Sequence, residues 1–218
     1  MSAAAATRDV AVGGHALPGR LTQPAGSAGL VVFAHGSGSS RSSPRNQQVA
    51  RAVEAAGMGT LLFDLLHEDE ARDRRRIFDI PLLAERVVDA IAWCDGEADL
   101  RARPLGLFGA STGAAAALVA AARRPERVAA VVSRGGRPDL AMPVLAEVRA
   151  PTLLIVGGAD TEVLAMNRDA LARLGGPKTL DVVPGATHLF EEPGTLEAMT
   201  ARAVAWFERH LTPPANRG

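Results

Sequence analysis

A serine that attacks a carbonyl needs a base to take its proton, a group to orient that base, and N–H donors for the charge that builds on the carbonyl oxygen. The segment Gly109-Ala110-Ser111-Thr112-Gly113 has the form G-x-S-x-G. It directly follows the apolar run Leu105–Phe108 and opens the Ala-rich stretch 114–123. A strand, a sharp turn and a helix are the setting in which such a serine is held exposed. Two residues stand downstream in the order this chemistry uses on a strand–turn–helix scaffold, acid and then histidine: Asp160 after Gly157-Gly158-Ala159, and His188 after Pro184-Gly185-Ala186-Thr187. Ser111 is thus expected as nucleophile, His188 as base and Asp160 as its orienting acid.

The competing residues are weaker on position. His15 lies in a glycine-split N-terminal segment and His210 at the end of the last helical stretch. His67 follows a strand but precedes the nucleophile. His35 adjoins Gly36 and reads as a residue that positions backbone. Glu162 is the substitute for Asp160, while Asp169 and Asp181 fall inside a helix and a strand. The oxyanion donors are expected to be the Thr112 amide and an amide of His35-Gly36-Ser37-Gly38, with Ser37 chosen and Gly36 the alternative. That loop lacks the Lys-Ser/Thr of a P-loop and the third glycine of a dinucleotide fingerprint, so a phosphate cradle is disfavoured.

Elements must carry these residues to one place. Apolar runs at Leu30–Ala34, Thr60–Asp64, Leu105–Phe108, Val128–Val132, Thr152–Val156 and Thr179–Val183 predict strands covered on both faces. Stretches of helical period separate them: Val49, Val53 and Ala56; Leu83, Val87, Ala90, Ile91 and Cys94; Leu196, Met199, Ala203, Trp206 and Phe207. The alternation predicts an α/β protein with a mostly parallel central sheet and helices on both faces. Asp9–Val12 and Ala16–Leu21, split by Gly13-Gly14, predict an N-terminal hairpin. The 218 residues suit one domain. Residues 1–7 and 212–218 are expected to be flexible ends.

Composition narrows the functions. Lys+Arg and Asp+Glu both number 24, so no basic excess points to nucleic acid or an anionic membrane. Aromatics are 4% with no tyrosine, which disfavours a base-stacking platform. No apolar run approaches a membrane span, and no signal peptide is read at the start. The single Cys94 excludes an internal disulfide and a CxxC metal pair. A cytoplasmic enzyme with no metal or other cofactor is expected, and the sequence does not determine an oligomeric state.

On these motifs, together with Ser39-Ser40-Arg41, Ser43-Pro44-Arg45-Asn46, Ser133-Arg134-Gly135-Gly136-Arg137-Pro138-Asp139-Leu140 and Leu189-Phe190, the chain resembles the dienelactone hydrolase-like branch of the α/β-hydrolases over nearly its whole length. The resemblance implies the α/β-hydrolase fold and a small carboxylic ester, thioester or lactone as substrate. It departs in one place: dienelactone hydrolases proper carry cysteine in the elbow, where this chain has Ser111. The namesake holds a substrate carboxylate with arginines, which makes Arg41, Asn46, Arg134 and Arg137 the substrate-binding residues to examine. The other reading is that these arginines tie the loop to backbone carbonyls or to Asp139. The charged segment 67–76 stands where lipases carry a long lid, so no large lid domain is expected, and its plain reading is a solvated helix or loop. An acyltransferase using the same three residues, and a ligand-binding scaffold without turnover, are the alternatives.

Overall fold

The computed structural model describes residues 5–212. Eight strands form one sheet in the order β1-β2-β4-β3-β5-β6-β7-β8. They are β1 (Ala6–Val12), β2 (Leu17–Gln23), β3 (Leu30–Ala34), β4 (Gly59–Phe63), β5 (Leu105–Ala110), β6 (Val128–Arg134), β7 (Thr152–Gly157) and β8 (Lys178–Val183). β1 pairs antiparallel with β2, and β2 antiparallel with β4; every other neighbouring pair is parallel. The expected hairpin is therefore present, and β1 begins earlier than expected: Ala6 and Thr7 pair with Gln23 and Thr22 instead of fraying. The rest of the N-terminal flexibility expectation, residues 1–4, and residues 213–218 at the other end lie outside the described residues.

The continuous apolar runs are explained by two cores. Along β3, Leu30, Val32 and Ala34 face one side and Val31 and Phe33 the other, as a period of two dictates. The first side is covered by α3 (Ile80–Gly96), α4 (Thr112–Arg123) and part of α5 (Thr161–Arg173); the second by α1 (Pro44–Ala55) and α6 (Thr195–Leu211). α3 starts cleanly because the Asp79 side chain accepts the Leu82 amide at 3.0 Å and Pro81 occupies the first turn. α4 buries alanines almost throughout, which lets it sit close to β5. The segment 67–76 forms a 3-10 turn (Glu70–Arg72) and begins the short helix α2 (Arg74–Ile77).

Two strands run further than their apolar runs suggest. β5 continues to Ala110 and β6 to Arg134, with Ala110 paired to Arg134 and Arg134 to Ile155. The strand predicted over Val128–Val132 thus runs two residues further, and the pairing fixes Arg134 inside the sheet. A 3-10 stretch, Pro138–Glu147, follows and packs over α4, with Pro143 in its middle.

Candidate active site

The sheet brings the expected residues to its C-terminal edge, where ligands bind in parallel sheets. Ser111 occupies the turn between β5 and α4 with φ 50° and ψ −121°, a conformation that costs a non-glycine residue free energy. The neighbours leave no alternative. A Cβ on Gly109 would lie 2.4 Å from the Ala114 Cα, and one on Gly113 would lie 2.2 Å from the Ala34 carbonyl oxygen. The Ser111 amide donates to the Arg134 carbonyl at 3.2 Å, and its carbonyl accepts from Ala114 and Arg137, both at 3.1 Å. The strained turn is thus anchored on both flanks.

Asp160 lies just past the end of β7, at the start of α5, and His188 in the loop after β8. The His188 ring meets the Asp160 carboxylate through Nδ1 at 2.7 Å. The two loops are sewn together: Gly158 donates to the Val183 carbonyl at 2.8 Å and Ala159 to the Ala186 carbonyl at 2.9 Å. On the far side, Glu192 accepts the Thr187 amide at 3.0 Å and its hydroxyl at 2.6 Å. Phe190, with φ 55° and only 2% exposed, pins the loop into the core. The His188 ring stands against Gly135, where a Cβ would come within 3.5 Å of its Cε1 and Nδ1. Glu162 lies in the first turn of α5, exposed, and it is Asp160 that bonds the ring. Among the described residues no hydrogen bond joins the Ser111 hydroxyl to the ring; such contacts are often long in free enzymes and tighten with substrate.

The loop after β3 flanks Ser111 on the other side. A Cβ on Gly36 would lie 3.1 Å from that of Ser111. His35 acts as the expected backbone-positioning residue. Its Nδ1 donates to the Gly36 carbonyl at 3.0 Å and its Nε2 accepts the Leu65 amide at 3.0 Å. Burial holds its pKa below 6.5, outweighing the Gly36 carbonyl and the Asp64 charge, so the neutral ring that this bonding requires is the favoured form.

Ser37 is placed differently from expectation. Its amide, chosen as the loop's oxyanion donor, donates to the Thr112 hydroxyl at 2.9 Å. Thr112 is 3% exposed, and a hydroxyl buried to that degree needs a partner. Gly36, the alternative, adjoins Ser111, and Thr112 provides the first N–H of α4.

The four residues examined for substrate binding separate. Arg41 is committed to Asp64, donating through its amide at 2.7 Å and through its guanidinium. Arg137 is clasped by both oxygens of Asp139 at 2.8 and 2.7 Å, which raises its pKa. Asn46 is buried on the core side of α1. The charges of Arg41 and Arg137 are thus matched within the chain, as the alternative reading of these arginines as loop ties has it. Arg134 differs. It is 7% exposed, no carboxylate among the described residues pairs with it, and its Nε has no partner. Burial, and then the charge of Arg45, push its pKa down to about 10.

Sequence reasoning passed over Asp64, Thr112 Oγ1 and Glu192 as positioning groups. Only Glu192 carried a local signal, a carboxylate four residues beyond the histidine. Cys94 sits in α3 with its thiol pushed up to about 12 by burial, far from nucleophilic use. No group of three or more His, Cys, Asp or Glu that could hold a metal ion occurs among the described residues, and no helix among them is long and apolar enough to cross a membrane.

Residues 27–205 match the family described as an alpha/beta hydrolase domain, and the chain belongs to that family. Within it, the chain falls in the dienelactone hydrolase-like branch. It is 53% identical to a dienelactone hydrolase from Anabaena variabilis, with a TM-score of 0.91 over 97% of this chain and 100% of that one. It is also 57% identical over 200 residues to a Mycobacterium tuberculosis (strain H37Rv) protein with the provisional name phosphoribosyl transferase. That alignment takes in 92% of this chain and 45% of the relative, so the chain spans less than half the length of that curated protein. An esterase from an Arctic intertidal metagenomic library shares the fold at a TM-score of 0.75 and 21% identity, covering 94% of this chain and 93% of that one. These likenesses place the chain in the alpha/beta hydrolase family by sequence and by fold.

Proposed function

We propose that the protein cleaves small carboxylic esters, thioesters or lactones through an acyl-enzyme on Ser111. One observation carries this reading: the serine in the strained turn after β5 shares the sheet edge with a histidine already hydrogen-bonded to a carboxylate. Asp160 holds the His188 ring with Nε2 free to act as base and stabilises the imidazolium that forms. His188 takes the Ser111 proton as the oxygen attacks the carbonyl. The oxyanion is held by the Thr112 amide and by the Gly36–Ser37 loop, whose Ser37 amide can exchange the Thr112 hydroxyl for it. His188 then gives its proton to the leaving oxygen or sulfur, and water cleaves the acyl-enzyme by the same steps in reverse. These steps call on no metal or organic cofactor, and the buried free thiol of Cys94 suits a reducing cytoplasm.

The mycobacterial relative's name belongs to a protein more than twice as long as the matched region, and phosphoribosyl transfer forms no part of this reading. The test is turnover of p-nitrophenyl acetate with Ser111→Ala, alongside labelling by a fluorophosphonate. The variant is expected to lose at least about 10⁴-fold in kcat and to resist the label. A variant that turns over like wild type sinks the assignment.

A further inference from the structure

A cavity of about 590 Å³ opens beside the loop after β3; Gly36 and Ser37 of the proposed oxyanion loop and Arg41 stand on its wall, and the catalytic steps above assign it no part of the substrate. Its wall toward Ser111 is the segment Gly36–Ser40, and Gly36 is the residue that nearly touches Ser111. Its remaining walls come from the ends of β3 and β4, from the 67–77 segment and from α3. The apolar lining is Pro18, Leu65, Leu66, Ala71, Ile77 and Leu83.

The charged and titratable groups on its wall are satisfied within the chain. Arg41 is paired with Asp64. Glu68 is paired with Arg72 at 2.9 Å. His67 donates from Nε2 to the His15 carbonyl at 2.9 Å, and His35 is held in its neutral form. The 67–77 wall is fixed in place through Glu70, whose carboxylate takes the His67 amide at 3.0 Å, Arg76 at 2.6 Å and the buried Arg86 of α3 at 3.1 Å. A cavity of this size, polar along the Ser37–Ser40 loop, mainly apolar elsewhere and with its charged groups paired, suits an uncharged, largely apolar group.

The strand order says which part of an ester that group is. Ser111 follows β5. The cavity follows β3 and β4, on one flank of β5; His188 stands against Gly135, after β6, on the other. The leaving oxygen must face His188, because that ring protonates it. With the carbonyl oxygen at the Thr112 amide and the Gly36–Ser37 loop, the acyl substituent takes the remaining direction, away from His188 and toward the flank on which the cavity opens.

We infer that this cavity is the acyl pocket and that the enzyme selects esters of neutral, apolar acyl chains, with the charged segment 67–77 as its chain-length gauge. The inference rests on the acyl-enzyme reading above. Ala71 is exposed on the 3-10 turn and lines the cavity, so a large side chain there fills the space without entering the core.

The experiment measures kcat/KM for p-nitrophenyl acetate, butyrate, hexanoate and octanoate with wild type, Ala71→Trp and Ile77→Ala. Fluorophosphonate labelling of Ser111 serves as the check that each variant is folded. Ala71→Trp is expected to lower the hexanoate and octanoate values by about tenfold or more while leaving acetate within about twofold. Ile77→Ala is expected to move the optimum to a longer chain. With wild type, p-nitrophenyl pentanoate is expected to exceed mono-p-nitrophenyl glutarate, which presents a carboxylate to the same pocket. Equal loss at every chain length, an unchanged optimum in both variants, or a preference for the glutarate overturns the acyl pocket while leaving the serine mechanism intact. Failure of wild type to turn over or label with any of these reagents overturns both.

Discussion

Arg134 shows how much one residue's meaning depends on its neighbours. Its sequence position after an apolar run suggests a rim arginine free to meet a ligand. The extra two residues of β6 instead carry it into the sheet, on the face shared with Val132 and covered by α1 and α6. There its guanidinium is buried without a carboxylate, and Arg45 adds a second positive charge nearby. Burying an unmatched charge is costly, and removing it relieves that cost. Arg134→Met is therefore expected to raise the stability of the free protein at neutral pH by about 1–3 kcal/mol. Urea unfolding checks this, and a lower midpoint for the variant would show that the arginine is compensated in the native state. The proposed triad of Ser111, Asp160 and His188 behaves differently: residue types and chain order were enough to single these three out, because few residues can serve as nucleophile, base and orienter in that order.

At the scale of elements, the turn from β5 into α4 governs the site. Its glycines were readable as a pattern, but their reason is tertiary. Gly113 packs against the carbonyls of Ala34 and His35, which belong to a strand some eighty residues earlier in the chain and to the loop that follows it. A methyl group there forces β3 and α4 apart. Gly113→Ala is expected to destabilise the protein by about 2–4 kcal/mol and to depress turnover, since the Gly36–Ser37 loop moves with His35. Thermal unfolding and p-nitrophenyl acetate turnover check the two effects; a variant as stable as wild type would mean that the elbow yields more easily than the contacts suggest. The bond from the Ser37 amide to the Thr112 hydroxyl spans 75 positions, and the tie from Arg41 to Asp64 spans 23. Neither has a local signature, so the actual partners of the loop after β3 were invisible in the sequence while its glycines were plain.

Across the whole molecule, His35 couples the site to acid stability. Its neutral ring clamps the loop after β3 to the loop after β4. A proton on Nε2 would confront the Leu65 amide with a second donor. The folded state holds this pKa below its ordinary 6.5, through burial above all. The neutral ring's contribution is therefore fully present above 6.5 and is lost as the pH falls through the folded-state value, because the unfolded chain takes up the proton first. His210 shifts in the same direction, through burial and then Arg209. Wild-type stability is expected to decline below about pH 6.5. His35→Gln should be less stable at pH 7 and show a shallower decline; an equally steep decline would assign the acid sensitivity elsewhere. Unfolding midpoints across pH 5 to 7.5 decide it.

The sequence by itself determined the alternating elements, the two-sided sheet, the serine turn and the order of acid and histidine. Period and residue type along the chain are sufficient for those, since each is a local pattern that burial or chemistry reads directly. Only the tertiary structure decided which arginines lack a carboxylate partner, where the Ser37 amide points, and on which flank of Ser111 a cavity with its charges paired opens. Those depend on residues brought together from distant strands, and a charge or an amide acquires its meaning from whatever partner the fold places within hydrogen-bonding distance.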